Sequence, residues 1–446
     1  MAYFIGNIPV DPATGDGQNL LGRAHQEHSR ITCGCRKPAP QMYVACVNGR
    51  FILKRMPGTG AEHAPGCESF LPPEDLSGLG QVQGSAIEED LDSGTTTLKV
   101  DFPLTMGSKR PAPPAPSGQK PTEAKASPRK LGLSSLLQYL WHEADLVKWT
   151  PAMQGKRWWG PVQRALLNAA AGKSAKSRDL RDILYVPDYW KAERKEENAA
   201  RRAKLLRGLQ APARGTAPLG LVVAEYKSHE ATRMGARFLF KHAPDCAFFA
   251  EEDLVQKFEK VFADQLMLAD ALGDVHVMVI ATFSVAKAGY PVLREIGMML
   301  VTANWIPFET IRDYQLIQAL TESRRAFLKS QRFTLGQDTP IACAVLTDLE
   351  SPVPLFVADP AADANAVAAL REVAAEGTYP AWLWLDEDVM PDLPLSGNRR
   401  AEKETAILEE TGDHEDGRQA PGNREETNRR GLPAGDRNGS GERECQ

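Results

Sequence analysis

A chain of 446 residues exceeds what one compact core usually holds, and a prior of roughly 150 residues per domain suggests two or three units plus linkers. Hydrophobic residues at 42% and charged residues at 25% are ordinary for a soluble globular protein. No apolar run reaches the roughly 18 to 20 residues that span a bilayer, which argues against a membrane partner.

The start, MAYFIGNIPVDPATGDGQ, lacks a basic region followed by a long apolar one, so no signal peptide is expected and the protein should stay in the cytoplasm. Residues 1–106 read as a small β-rich module. Two apolar runs flank Asn48-Gly49, a hairpin signal, and residues 95–104 read as another strand. Residues 107–130 are Pro, Ala, Ser and Lys, the composition of a linker. A basic helical segment follows over 131–215. Leu133, Leu136, Leu137, Leu140 and Trp141 recur at helical spacing, and Pro161 suits the first turn of a second helix. Leu180, Ile183 and Leu184 suit a third short helix, and 191–209 a charged one. Residues 216–395 read as an α/β domain. Strands are expected at LGLVVAEY, VHVMVIATFSV, IACAVLTD, PLFVAD and AWLWL. Helices are expected at 251–272, 291–303, 308–330 and 363–375. Residues 396–446 have almost no apolar residues and read as a disordered tail. The fold class is therefore α+β and multidomain, with the helical segment resembling a winged helix in outline.

Four of seven cysteines lie between Cys33 and Cys67, with Cys246, Cys343 and Cys445 scattered. That odd, clustered pattern suits metal rather than disulfides. Cys33-Gly34-Cys35 brings two thiols together, with Gly34 easing the turn, and a hairpin-sized insert leads to His63-x-x-x-Cys67. Cys33, Cys35, His63 and Cys67 make a Cys3His set, which holds structural zinc with no open position. Cys46 reads as a core residue, and His25 or His28 could replace a ligand. The string His242-Ala-Pro-Asp-Cys246 echoes His63-Ala-Pro-Gly-Cys67 but has no Cys-x-Cys partner, and is taken as chance.

Cys33-x-Cys35, MYVA, LKRMPGTG and His63-x-x-x-Cys67 together resemble the bacterial family catalogued as domain of unknown function 1173. The resemblance extends through LRDILYVP, VVAEYK and NWIPFE to SRRAFLK, about residues 20–395. It implies a place on plasmids and integrative conjugative elements, with conjugative-element proteins among the partners. It brings no known activity.

Net charge is −5, but Gly107–Gly215 holds 22 Lys+Arg against 9 Asp+Glu, an excess that suits a polyanion. Lys156, Arg157, Arg164, Lys173, Lys176, Arg178 and Arg181 are the candidate phosphate contacts with DNA. The bland alternative is a helical core filled by Trp141, Trp149, Trp158 and Trp159 under a solvated basic face. Gly172-Lys173-Ser174 is not a phosphate loop, because Leu167 stands where that motif needs glycine. Pro187-Asp188 ahead of Glu225-Tyr-Lys227 has the form of a restriction-endonuclease-like signature, in which Asp188 and Glu225 hold Mg²⁺ and Lys227 positions water. Alternation along a strand would put Glu225 and Lys227 on one face. The sequence thus favours a non-enzymatic, zinc-stabilised accessory protein of a mobile element that binds DNA or a protein. A magnesium-dependent nuclease is the runner-up, and a scaffold without nucleic-acid contact the third reading.

Overall fold

A computed structural model describes residues 2–47, 49–91, 93–107, 130–212, 215–336, 339–386 and 388–395. Asn48 of the hairpin, most of the expected linker, Cys445 and the expected disordered tail lie outside these residues. The described part is a mixture of helix and sheet, as the sequence suggests, with four sheets.

The first sheet is wholly antiparallel, in the spatial order Ile8–Val10, Tyr3–Ile5, Ile31–Cys33, Gln41–Val47, Arg50–Arg55. Val47 pairs with Arg50 across the expected hairpin turn. Helix Gly15–Gln26, not anticipated from the sequence, packs Leu21 and Ala24 against this sheet. Thr14 caps it by accepting from the Gly17 N–H. Gly22 is needed there, because a Cβ would lie 2.9 Å from the Phe51 ring.

The second sheet crosses the expected linker. Thr96–Leu98 pairs in parallel with Lys173–Ala175, which in turn pairs with Arg178–Asp179. The third sheet is the largest. Gly220–Thr232 pairs with Gly235–Phe240, which pairs with Phe248–Glu251, then Pro291–Thr302, then Val275–Val285, which returns to Gly220–Thr232. These pairings close a ring, so its central strands have no free edge. All but the Phe248–Glu251 to Pro291–Thr302 contact are antiparallel. The near-continuous apolar run of Val275–Val285 therefore reflects burial within a mostly antiparallel ring. The fourth sheet orders Trp382–Trp384, Val353–Val357, Ala344–Leu346, Phe327–Lys329 and Lys148–Trp149. Helix Ile311–Glu322 contributes Leu316, Ile317 and Leu320 to the core beneath it.

Residues 291–303, expected as helix, form the strand Pro291–Thr302. Its apolar run MMLV fits either period when read alone; the partner strand decides, through register from Val275↔Thr302 to Val285↔Pro291. The segment 308–330 is a helix, Ile311–Glu322, followed by a strand, and Arg324 at φ 57° makes the turn between them. The expected helix over 251–272 is two, Glu252–Val261 and Ala263–Leu272.

Helix Leu133–Glu143 lies at the centre, with Leu136, Leu137, Leu140 and Trp141 buried. Gly297 lets it approach the ring, since a Cβ there would lie 2.8 Å from Ser134 Oγ. The other helices of the basic segment are Trp159–Ala169, Leu180–Ile183 and Lys195–Gly208.

Candidate metal centre

Cys33 ends an inner strand of the first sheet, and its N–H donates to Pro40 O at 2.8 Å. The chain then turns through Gly34, whose N–H donates to Ala2 O at 2.9 Å. Gly34 is not in the left-handed region; its role is close approach, because a Cβ would lie 2.8 Å from the Phe4 ring. Cys35 follows in the turn. Across from it, the short 3-10 turn Gly60–Glu62 ends at His63, and the Cys67 N–H donates to Ala64 O at 2.8 Å. Gly58, at φ 74°, makes the left-handed turn that starts this second arm.

The ligand atoms of Cys33, Cys35, His63 and Cys67 all lie within 4.8 Å of one another. Cys33 Sγ and Cys67 Sγ are 3.7 Å apart, and His63 Nδ1 is 3.5 Å from both Cys35 Sγ and Cys67 Sγ. A disulfide would need about 2.05 Å between sulfurs, so these are free thiols. A tetrahedral ion with bonds of about 2.3 Å to sulfur and about 2.0 Å to nitrogen would set the edges at roughly 3.8 and 3.5 Å. The observed spacings fit that size. Ala64 N–H and Ser69 N–H also point to Cys35 Sγ and Cys67 Sγ, at 3.5 and 3.4 Å. Backbone donors of this kind suit thiolates.

The cluster is interior: Cys33, His63 and Cys67 are at most 1% exposed. Burial, with the neighbouring thiols adding to it, pushes the Cys33 thiol up to about 12; burial also raises Cys67 and, with Arg55, lowers the His63 imidazole. A bound cation reverses the thiol trend by stabilising the thiolates. His25, His28 and Cys46 are not in the group. His25 Nδ1 instead lies 3.1 Å from Val44 O, and Cys46 is a strand residue opposite Phe51.

The basic candidates differ in exposure and partners. Lys156, Arg164, Lys176 and Arg181 are exposed and Arg178 half-buried. Lys176 is turned to its own chain, donating to Phe102 O at 2.5 Å. Two others are structural. Arg157 donates to Leu146 O, Asp145 O and Lys148 O. Lys173 is buried against Glu143 at 2.8 Å and over the Tyr139 ring.

Asp188 accepts from Gln163 and pairs with Arg201 at 3.4 Å. Glu225 is 3% exposed. It accepts from Lys241 Nζ at 2.5 Å and His276 Nδ1 at 2.6 Å. Burial alone would raise its carboxyl; the His276 hydrogen bond and Lys241 outweigh burial and hold it down. Lys227 sits where the ladder slips between Tyr226 and Ser228, and it is exposed while Glu225 is buried. Simple alternation therefore does not carry Lys227 to Glu225. Lys241, from the next strand end, takes that place, a partner that spacing along one strand does not reveal.

The class is thus a mixed helix-and-sheet protein with a closed, mostly antiparallel ring and one buried Cys3His cluster. The chain belongs to the family described as "Protein of unknown function (DUF1173)", whose model matches residues 3–387. No curated protein and no solved structure matches the chain. No helix among the described residues is long and apolar enough to cross a membrane.

Proposed function

We propose that Cys33, Cys35, His63 and Cys67 bind one structural zinc ion, and that the protein is a zinc-stabilised accessory protein of mobile genetic elements, acting in the cytoplasm by binding DNA or a partner protein. The observation that carries the zinc assignment is that all four ligand atoms lie within 4.8 Å of one another, with the Cys33 and Cys67 sulfurs 3.7 Å apart and His63 Nδ1 3.5 Å from those of Cys35 and Cys67. With four protein ligands the ion has no position open to substrate, so it ties the turn after Ile31–Cys33 to the loop that follows Arg50–Arg55. Support for the DNA reading is the excess of 22 Lys+Arg over 9 Asp+Glu in 107–215. The mobile-element setting follows the family resemblance.

The magnesium-nuclease reading has weaker support. Glu225 already holds a lysine and a histidine, and the only grouping of three or more potential metal ligands among the described residues is the cysteine cluster.

Metal analysis of the purified protein tests the assignment. About one zinc per chain is expected, released by Cys67→Ala together with new protease sensitivity confined to the N-terminal sheet. A variant that keeps both its metal and its protease resistance contradicts it.

A further inference from the structure

We propose a second binding site, for an unstacked segment of single-stranded nucleic acid, at the rim formed by Trp158 and Tyr189. It rests on the nucleic-acid reading above but places the contact on aromatic rings in addition to the basic helices. Trp158 is 50% and Tyr189 43% exposed. Their rings pack edge to face with centroids 5.0 Å apart.

These rings are held from behind. A Cβ at Gly160 would lie 2.2 Å from the Trp158 ring, so the glycine makes room for the indole over the start of its helix. Tyr189 lies against His242 at 5.4 Å, and His242 stacks on Trp159 at 5.0 Å. Trp159 meets Trp305 at 5.6 Å, and Trp305 stacks on His276 at 3.9 Å. Trp159 Nε1 donates to Pro187 O at 2.7 Å, which fixes the chain two residues before Tyr189. Trp305 is held at φ 62°, a left-handed backbone that a bulky residue adopts only under constraint, and its carbonyl accepts from Trp141 Nε1 at 2.9 Å. Beneath the stack, the Glu225 carboxylate binds His276 and Lys241 through one oxygen and lies 3.9 Å from His242 through the other. Glu225 is a positioning residue here: it anchors the histidines that back the rim.

Cations flank the rim. Lys241 is 45% exposed at its side chain, though paired with Glu225. Lys156 and Lys191, each two residues from a rim aromatic, are exposed and form no ion pair among the described residues. The acid beside the rim, Asp188, is already taken by Arg201. Fixed aromatic faces bounded by cations suit a strand whose bases can stack and whose phosphates can be neutralised. A duplex keeps its base faces covered and offers this rim little.

The test measures fluorescence anisotropy of labelled oligothymidylate, and of a duplex of equal length, with the full chain at low and high salt. The double variant Trp158→Ala/Tyr189→Ala should weaken oligothymidylate binding by about tenfold or more while leaving duplex binding nearly unchanged. Oligothymidylate should also quench tryptophan emission, and Trp158→Phe, which keeps an aromatic ring and the fold, should remove part of that quenching. Unchanged oligothymidylate affinity in the double variant, with quenching intact in Trp158→Phe, overturns the rim and leaves the basic-segment reading standing. Absence of binding to both probes at low salt overturns both and leaves a protein partner as the reading to pursue.

Discussion

At the level of single residues, the charged groups with the largest energetic leverage are interior. Glu143 and Lys173 meet at 2.8 Å, with Lys173 only 6% exposed. Burial alone would raise the Glu143 carboxyl, but Lys173 and His142 outweigh it and hold it down to about 2. The folded value lies below the ordinary 4.5, so this stabilisation is complete above pH 4.5 and is lost as pH falls toward 2. Glu143→Gln should therefore destabilise the protein by about 3 kcal/mol at neutral pH, because Lys173 is left buried without its partner. The difference in melting temperature between wild type and variant should shrink as pH drops from 4.5 toward 2. A gap that stays constant over that range would remove the pair from the stability account. Comparing the two proteins at each pH cancels any zinc release they share. Sequence reading could not separate Lys173 from the exposed Lys156, since both sit in the same basic run and only the fold turns one toward Glu143. The four cysteine-cluster side chains were legible because close Cys and His spacings are local; Lys241 against Glu225 was not, because it depends on a strand slip at Lys227.

Elements show the same division. The central helix Leu133–Glu143 and the strand Val275–Val285 were readable from their own periodicity. Pro291–Thr302 was not, because an apolar run of that length fits helix or strand until a partner selects one. Helix Gly15–Gln26 escaped notice through its glycines, of which Gly22 serves contact with Phe51. Glycines also separate two kinds of turn requirement. A Cβ at Gly78 would lie 2.1 Å from Arg332 O, so the strand-linking loop at 331–332 must move to admit one. Gly78→Ala should cost about 1–3 kcal/mol, read as a lowered urea midpoint. Gly66, beside Cys67, has nothing within 4 Å of its Cβ position, and Gly66→Ala should change the unfolding free energy by less than about 0.5 kcal/mol. If the two variants behave alike, close approach is not what selects glycine at position 78.

For the whole molecule, sheet pairing joins residues far apart in sequence. Thr96–Leu98 pairs with Lys173–Ala175, and Lys148–Trp149 with Phe327–Lys329. Such pairings have no local signature, which is why a reading by composition along the chain describes its segments better than their assembly. The closed ring is similarly invisible until all five strands are paired. In the cysteine cluster, Cys33 ends an inner strand and His63 and Cys67 arrive from a separate loop, which the proposed zinc ion would tie together. X-ray absorption at the zinc edge of the purified protein tests that account most directly. Three sulfurs at about 2.3 Å and one nitrogen at about 2.0 Å are predicted, with all four lost together in the unfolded chain. A shell containing water or carboxylate oxygen, or a protein purified intact with no zinc edge, would contradict it.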